Sequence, residues 1–391
     1  MSKRPSKKRQ PKRKKAATRS EKYYASKNKA SAKRKFRLKK RFKVLLILLL
    51  TVLFVTAVVM LFKKFDPSQQ NYAEKNKEKA KKEKIVLPET ERASYFAGLL
   101  REQEFNVIAG HPIDLDTALV SFLEKNRSSA VPGKVSDENH GSVAENSGQK
   151  SVSELISLKT DGTYDQDTAG IYEIKVRIKD RAGNKKTVKK KLGVKDLADE
   201  KDNYAFLTGN GYIGRHHKGI SSIEGIIIAN KTFSVPKKFG RELTGDAFEA
   251  FEKMQSDAAD DGVNIYIKSD YRPYKDQKFI YDHYVKKHGA AEADKYSARP
   301  GHSEHQIGEC IDINYTDKSF ADTPEGKWIN KNCSKYGYII RYPDGKVNES
   351  MYIYEPWHLR YVGKKLAKKL YNGGDWITLE DHFGIDSNYG D

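Results

Sequence analysis

The longest apolar run in the chain is Val44–Phe62 (VLLILLLTVLFVTAVVMLF), 19 residues without a charged side chain. At about 1.5 Å rise per residue such a helix is about 29 Å long, close to the roughly 30 Å of a bilayer's hydrocarbon core. The pattern predicts one N-terminal transmembrane helix. A cleaved signal peptide has a shorter apolar region, about 7–15 residues, followed by small residues. Here Lys63 and Lys64 follow directly, which favours an uncleaved anchor.

Beyond the run the pattern changes several times. Residues 63–85 are rich in Lys, Glu, Asn and Gln and predict a solvated stalk. In 86–195 the clearest signal is Tyr172, Ile174, Val176 and Ile178 alternating with Glu173, Lys175, Arg177 and Lys179. Period two marks a half-buried strand. The turn Asp180-Arg181-Ala182-Gly183-Asn184 and a second run with Val188, Leu192 and Val194 complete a hairpin signature. This stretch resembles the closing hairpin of bacterial immunoglobulin-like surface domains, so an all-β immunoglobulin-like sandwich is expected over 86–195. Its polar 126–150 stretch is expected to be a long loop.

Residues 196–204 are polar and predict a linker. From 205 to 391 helix and strand signals mix without a long βα repeat, which predicts an α+β domain. Phe248, Phe251, Met254, Ala258 and Ala259 fall at helical spacing, and Gly262 ends that pattern. Val263, Ile265 and Ile267 then predict a strand leading into Ser269-Asp270-Tyr271-Arg272-Pro273, with a helix over 276–287.

Charge changes the picture only at the N-terminus. The net charge is +21, yet residues 1–43 hold 21 Lys or Arg and one Glu, a net of +20. Basic residues collect on the cytoplasmic side of a membrane helix. The expected topology is a disordered cytoplasmic tail (1–43), a span (44–62), and everything after it outside the cell membrane. A polybasic segment beside a membrane suits anionic lipid. No folded recognition motif accompanies the charge, which argues against a nucleic-acid partner.

The candidate chemistry lies in two segments. In SARPGHSEHQIGECIDIN (297–314), His305 and Asp312 are seven apart with Gly308 between them. Imidazole and carboxylate are ordinary zinc ligands, and glycine permits a tight turn after His305. Strand alternation puts Cys310, Asp312 and Asn314 on one face and Ile311 and Ile313 on the other. The second segment is Glu355-Pro356-Trp357-His358. A strand ending at Glu355 and turning at Pro356 would aim Glu355 and His358 into one pocket. Three protein ligands with one open position is the pattern of catalytic zinc. A carboxylate in reach can serve as general base and acid. The S-x-x-K serine route would need S-D-N and K-T-G companions, and neither triplet is present.

These residues resemble the zinc D-alanyl-D-alanine carboxypeptidases of the VanY type, which share a fold with D,D-dipeptidases and the hedgehog signalling domain. The likeness runs over about Ala229–Lys369 in four ordered blocks: SDYRPYKDQ (269–277), ARPGHSEHQIG (298–308), KWINKNCSKYGYIIRYP (327–343) and EPWHLRYVG (355–363). It implies a small antiparallel sheet with helices, and Zn2+ held by His305, Asp312 and His358. Glu355 would be the base and Arg272 would steady the oxyanion. Gln277 and Ser303 would hold the substrate's terminal carboxylate, and Tyr342 would line the pocket. A planar Arg fork suits a carboxylate equally well, so both roles stay open for Arg272. Asp270 stands where relatives often have Gly, and Cys310 where they usually have a small residue such as Ala.

The implied function is hydrolysis of the terminal D-alanine of peptidoglycan stem peptides. The alternatives are an L,D-carboxypeptidase acting on tetrapeptide stems and an inactive wall-binding protein. Cys310 and Cys333 are either two buried thiols or one disulfide.

Overall fold

The computed structural model describes residues 87–127, 150–198, 203–240 and 242–389. The basic tail, the Val44–Phe62 run and the stalk lie outside the described residues, as does the 128–149 part of the expected loop. Among the described residues no helix is long and apolar enough to cross a membrane.

The first part begins with a short turn at Glu89–Glu91 and helix α1 (Arg92–Glu102). Strand β1 (Phe105–Ile108) and helix α2 (Leu115–Asn126) follow. Asp114 caps α2 by accepting from the N–H groups of Asp116 and Thr117, which satisfies donors a helix start leaves unpaired. Strands β2 (Ile156–Asp161), β3 (Gly170–Asp180) and β4 (Lys185–Lys195) complete a four-stranded sheet in the order β1-β4-β3-β2. The expected hairpin is present: Val176 faces Val188 and Lys179 faces Lys185 across β3 and β4. Gly183, at φ 91°, supplies the left-handed residue of its turn.

The immunoglobulin-like sandwich is not what forms. Among the described residues, 89–195 make one mixed sheet, with β1 parallel to β4. The inward side chains Ile174, Val176, Ile178, Val188, Leu192 and Val194 meet helices instead of a second sheet. Ala93, Phe96, Ala97 and Leu100 of α1 and Leu115, Leu119, Phe122 and Leu123 of α2 fill that core. Apolar residues at helical spacing bury one stripe of each helix, and a stripe covers a sheet face as well as another sheet does.

A second four-stranded sheet follows as a meander: β5 (Asn203–Leu207), β6 (Ile213–His217), β7 (Ile220–Ile223) and β8 (Ile226–Ile228). Strand β5 starts inside the stretch expected to be a linker. Asn106 of β1 donates to the Ala205 carbonyl at 2.7 Å, and Leu207 belongs to the first core. The described residues all belong to one compact unit.

The third sheet carries the candidate site. It is antiparallel, in the order β11-β12-β10-β9, from β9 (Ile267–Ser269), β10 (Cys310–Ile313), β11 (Tyr338–Ile340) and β12 (His358–Tyr361). The α+β expectation for this part holds. Helix α3 (Gly245–Asp260) packs Ala247, Phe251, Met254 and Ala258 into one core with Ile311, Ile313, Ile339 and Leu359. Phe248, placed on the buried stripe by its spacing, is 44% exposed. Helix α4 (Tyr274–His288) matches the expected 276–287 helix, and α5 (Pro324–Asn332), α6 (Lys364–Tyr371) and α7 (Leu379–Phe383) complete the unit. Truncating a buried side chain such as Met254 to Ala would cost about 2–5 kcal/mol.

Candidate functional site

Three local features bring the site together. The first is strand alternation: Ile311 and Ile313 point into the core, so Asp312 points to the opposite face. The second is register: His358 on β12 lies directly across from Asp312 on β10. The third is the turn Glu304–Gln306, which carries His305 and is closed by Gly308 at φ 80°. A Cβ on Gly308 would stand 2.2 Å from the Glu242 carbonyl oxygen, so the expected tight turn admits only glycine without displacement.

His305 Nδ1 lies 2.6 Å from the Asp270 carbonyl oxygen, which can only accept, so that nitrogen carries the proton. Its Nε2 then faces Asp312 Oδ2 at 3.2 Å. His358 Nδ1 faces the other oxygen, Oδ1, at 3.1 Å. The two imidazoles are perpendicular with centroids 5.0 Å apart. Glu355 Oε2 is 3.8 Å from His358 Nδ1. The Glu355 N–H donates to the Tyr342 carbonyl, and the His358 N–H to the Glu355 carbonyl at 3.1 Å. Glu355 thus opens a turn that leads into β12. The expectation had the strand before the proline; it comes after, and the turn still brings both side chains to one side.

The electrostatics follow from burial and proximity. Burial pushes the Glu355 carboxyl up to about 7, with Asp312 adding to it against the pull of His358. Burial opposes charge on His305 too, but the Cys310 thiol and Asp312 outweigh it and raise the imidazole to about 9. His358 is raised in the same way, by Cys310 and Asp312. Burial would lift Asp312, yet His305 and His358 hold it far below the usual carboxylate range. Two bases and an acid that share protons so tightly form a donor set suited to a cation.

The other expected residues sit around this cluster. Arg272 Nη2 is 3.7 Å from Asp312 Oδ2, and its backbone N–H donates to the His305 carbonyl. Its Nη1 donates to Gln277 Oε1 at 2.9 Å and Nη2 to Ser269 Oγ at 3.2 Å. Gln277 is buried, with its amide nitrogen donating to the Ala298 carbonyl at 2.7 Å. Both ends of that amide are occupied, so Gln277 is placed to hold Arg272. Tyr342 is buried against the His358 ring at 5.1 Å, and Ser303 is buried beside the His305 turn. Cys310 and Cys333 are buried free thiols. The ligand atoms of His305, Cys310 and His358 all lie within 4.8 Å of one another; the Asp312 oxygens, at 3.1 and 3.2 Å, are close to both imidazoles.

Sequence reasoning missed a chain of buried charges behind the site. Glu304 Oε1 accepts from Arg341 Nε at 2.8 Å and from Arg360 Nη1 at 3.0 Å. Arg341 continues to Glu380 at 2.6 and 2.8 Å, and Arg360 to Glu309 at 2.6 Å. Arg341 and Arg360 are 1% and 0% exposed. The available signal was their position: Arg341 directly follows Ile339 and Ile340, and Arg360 lies two residues after His358 on the strand.

Comparison with known proteins bears on this geometry. The family profile described as "VanY: D-alanyl-D-alanine carboxypeptidase" matches residues 240–364. Those residues include the whole cluster. This part of the chain belongs to the VanY family. Among curated relatives, YodJ of Bacillus subtilis, which carries a carboxypeptidase name, is 39% identical over 165 residues, 40% of this chain and 60% of that protein. A D-alanyl-D-alanine carboxypeptidase of Enterococcus faecium is 39% identical over 122 residues, 31% of this chain and 38% of that protein. The chain thus spans less than two thirds of the length of either relative. The solved LdcB LD-carboxypeptidase is 33% identical, with a TM-score of 0.39 over 44% of this chain and 92% of that one.

Proposed function

We propose that the chain is a zinc-dependent carboxypeptidase that removes the terminal D-alanine from peptidoglycan stem peptides. The observation that carries this is the convergence of His305 Nε2 and His358 Nδ1 on the two oxygens of Asp312, with Glu355 beside them. The VanY-family match supplies the reaction class. Two imidazole nitrogens and a carboxylate, with His305 fixed by the Asp270 carbonyl, are a fitting donor set for zinc.

His305, Asp312 and His358 would hold the ion. When bound, it supplies a Lewis acid that polarises a carbonyl and brings the pKa of a water to near 7. Glu355, lifted by burial to about 7, can take a proton from the attacking water and return it to the leaving amine. Arg272, held by Gln277 and Ser269, presents a guanidinium toward the cluster. It can stabilise the developing oxyanion or bind the terminal carboxylate of the stem. Tyr342 walls the His358 side, and Ser303 would contact the same carboxylate.

The proposal extends to location. The uncharged Val44–Phe62 run and its basic flank support a single-pass anchor with residues 65–391 outside the cell. An anchor near new wall would raise the effective concentration of the enzyme at a fixed polymer.

The test incubates the zinc-loaded full chain, in detergent, with stem pentapeptide and with stem tetrapeptide, and weighs the products. Loss of one D-alanine from the pentapeptide, absent in Glu355→Gln, is expected. Cleavage of the tetrapeptide alone would make the enzyme an L,D-carboxypeptidase. No cleavage of either would overturn the reading.

A further inference from the structure

We infer that Glu304 is a positioning residue that makes His358 a ligand through Nδ1; the inference rests on the zinc reading above. His358 has two ring nitrogens. Nδ1 faces Asp312 at 3.1 Å, and Nε2 faces Glu304 Oε2 at 3.5 Å. The latter two atoms are buried, and neither has a hydrogen-bond partner among the described residues. The two face each other slightly beyond an ordinary hydrogen bond.

The carboxylate cannot turn away. Its other oxygen is taken by Arg341 and Arg360, and each of those is held in turn by Glu380 or Glu309. Three carboxylates surround two guanidiniums, so the group carries a surplus negative charge. The free oxygen of Glu304 brings that charge to the far side of the imidazole. A proton on Nε2 is stabilised there, which leaves the Nδ1 lone pair for the ion and makes that nitrogen a stronger donor. His305 is set the opposite way. Its Nδ1 proton goes to the Asp270 carbonyl, and Nε2 faces the cluster. The two histidines of the centre are thus held in opposite tautomers, one by a backbone carbonyl and one by a buried carboxylate.

The full chain labelled with 15N at histidine and loaded with zinc would show this directly. Long-range proton–nitrogen spectra report which ring nitrogen carries hydrogen. The expected result is two zinc-perturbed histidines, one protonated at Nδ1 and one at Nε2. Two zinc-bound rings both protonated at Nδ1 would overturn the inference. No zinc-perturbed histidine would instead sink the metal reading on which it rests. Zinc affinity, measured by chelator competition, provides the second readout. Glu304→Gln should weaken zinc by about 10–100-fold, while Glu309→Gln, which also strips a carboxylate from Arg360 without facing His358, should change it less than about threefold by the same reasoning. Equal losses in the two variants would reduce Glu304 to a general structural charge and refute its positioning role. If Glu304→Gln does not fold, the tautomer pattern of the unaltered protein decides.

Discussion

Gly308→Ala tests whether the turn behind His305 depends on the absence of a side chain. Two costs combine at this position. The backbone has φ 80°, and an L-residue there costs roughly 1–2 kcal/mol. The new Cβ would also stand 2.2 Å from the Glu242 carbonyl oxygen, about 1 Å inside ordinary contact, and such overpacking costs about 1–3 kcal/mol. The neighbouring chain cannot simply move away, because the Thr244 N–H donates to the Gly308 carbonyl at 2.7 Å. The sum is about 2–5 kcal/mol, which at roughly 2–4 °C per kcal/mol lowers Tm by about 4–20 °C. Gly345→Ala separates the two costs. Gly345 has φ 73°, and a Cβ there meets nothing within 4 Å, so only the backbone cost applies. Scanning calorimetry of both variants should place Gly308→Ala clearly below Gly345→Ala. Zinc affinity should fall only in Gly308→Ala, because relief of the clash displaces the His305 turn. Equal Tm values with unchanged zinc binding would refute the reasoning.

Four further outcomes follow from the same geometry. Glu355→Gln should retain zinc and lose about 10²–10⁴ in kcat; an active variant would remove Glu355 as the proton carrier. Gln277→Ala should lower kcat/KM about tenfold, the loss of one charge-assisted hydrogen bond to Arg272, with zinc affinity unchanged. Cys310 and Cys333 should resist iodoacetamide in the folded protein and react as two thiols in denaturant, since both are buried and unbonded; ready labelling of the native chain would contradict their burial. His382 is held down to about 4, by burial first and then by Lys369 and Lys125. Its unfolded form takes a proton below about 6.5 while the folded form does not. Stability should therefore fall between about pH 6.5 and 4, and Tm profiles of wild type and His382→Gln should diverge in that window.

The site was legible because its chemistry is local in sequence. His305, Gly308 and Asp312 lie on one turn and one strand, and Glu355 and His358 lie on one turn. Spacing alone joins each group, and the antiparallel pairing of β10 with β12 joins the two. Gln277 stands in the expected neighbourhood, where its amide also joins Arg272 to the Ala298 carbonyl. That could not be read from the chain, since its partners sit 5 and 21 residues away and only folding chooses them. Glu304 was next to His305 throughout, but a lone Glu between a Ser and a His looks like a solvated residue until Arg341 and Arg360 arrive from 37 and 56 residues downstream.

The error over 86–195 has a different physical origin. Alternation in β3 states that one face is buried and is silent about what buries it. Ile174, Val176 and Ile178 would look the same under a second sheet as they do under α1 and α2. The deciding information lay in the covering segment. Ala93, Phe96, Ala97 and Leu100 recur at i, i+3, i+4 and i+7, the spacing of a helix, and Leu115, Ala118, Leu119 and Phe122 repeat it behind the Asp114 cap. A strand pattern limits a fold to those with a sheet at that point, and only the pattern of its neighbours selects among them. The same logic applies to the buried charges. Arg341 and Arg360 occupy positions that apolar residues flank, at Ile340 and Leu359. A charge there is costly unless paired, so two arginines buried in and beside these strands imply carboxylates to meet them. Glu304, Glu309 and Glu380 are those carboxylates.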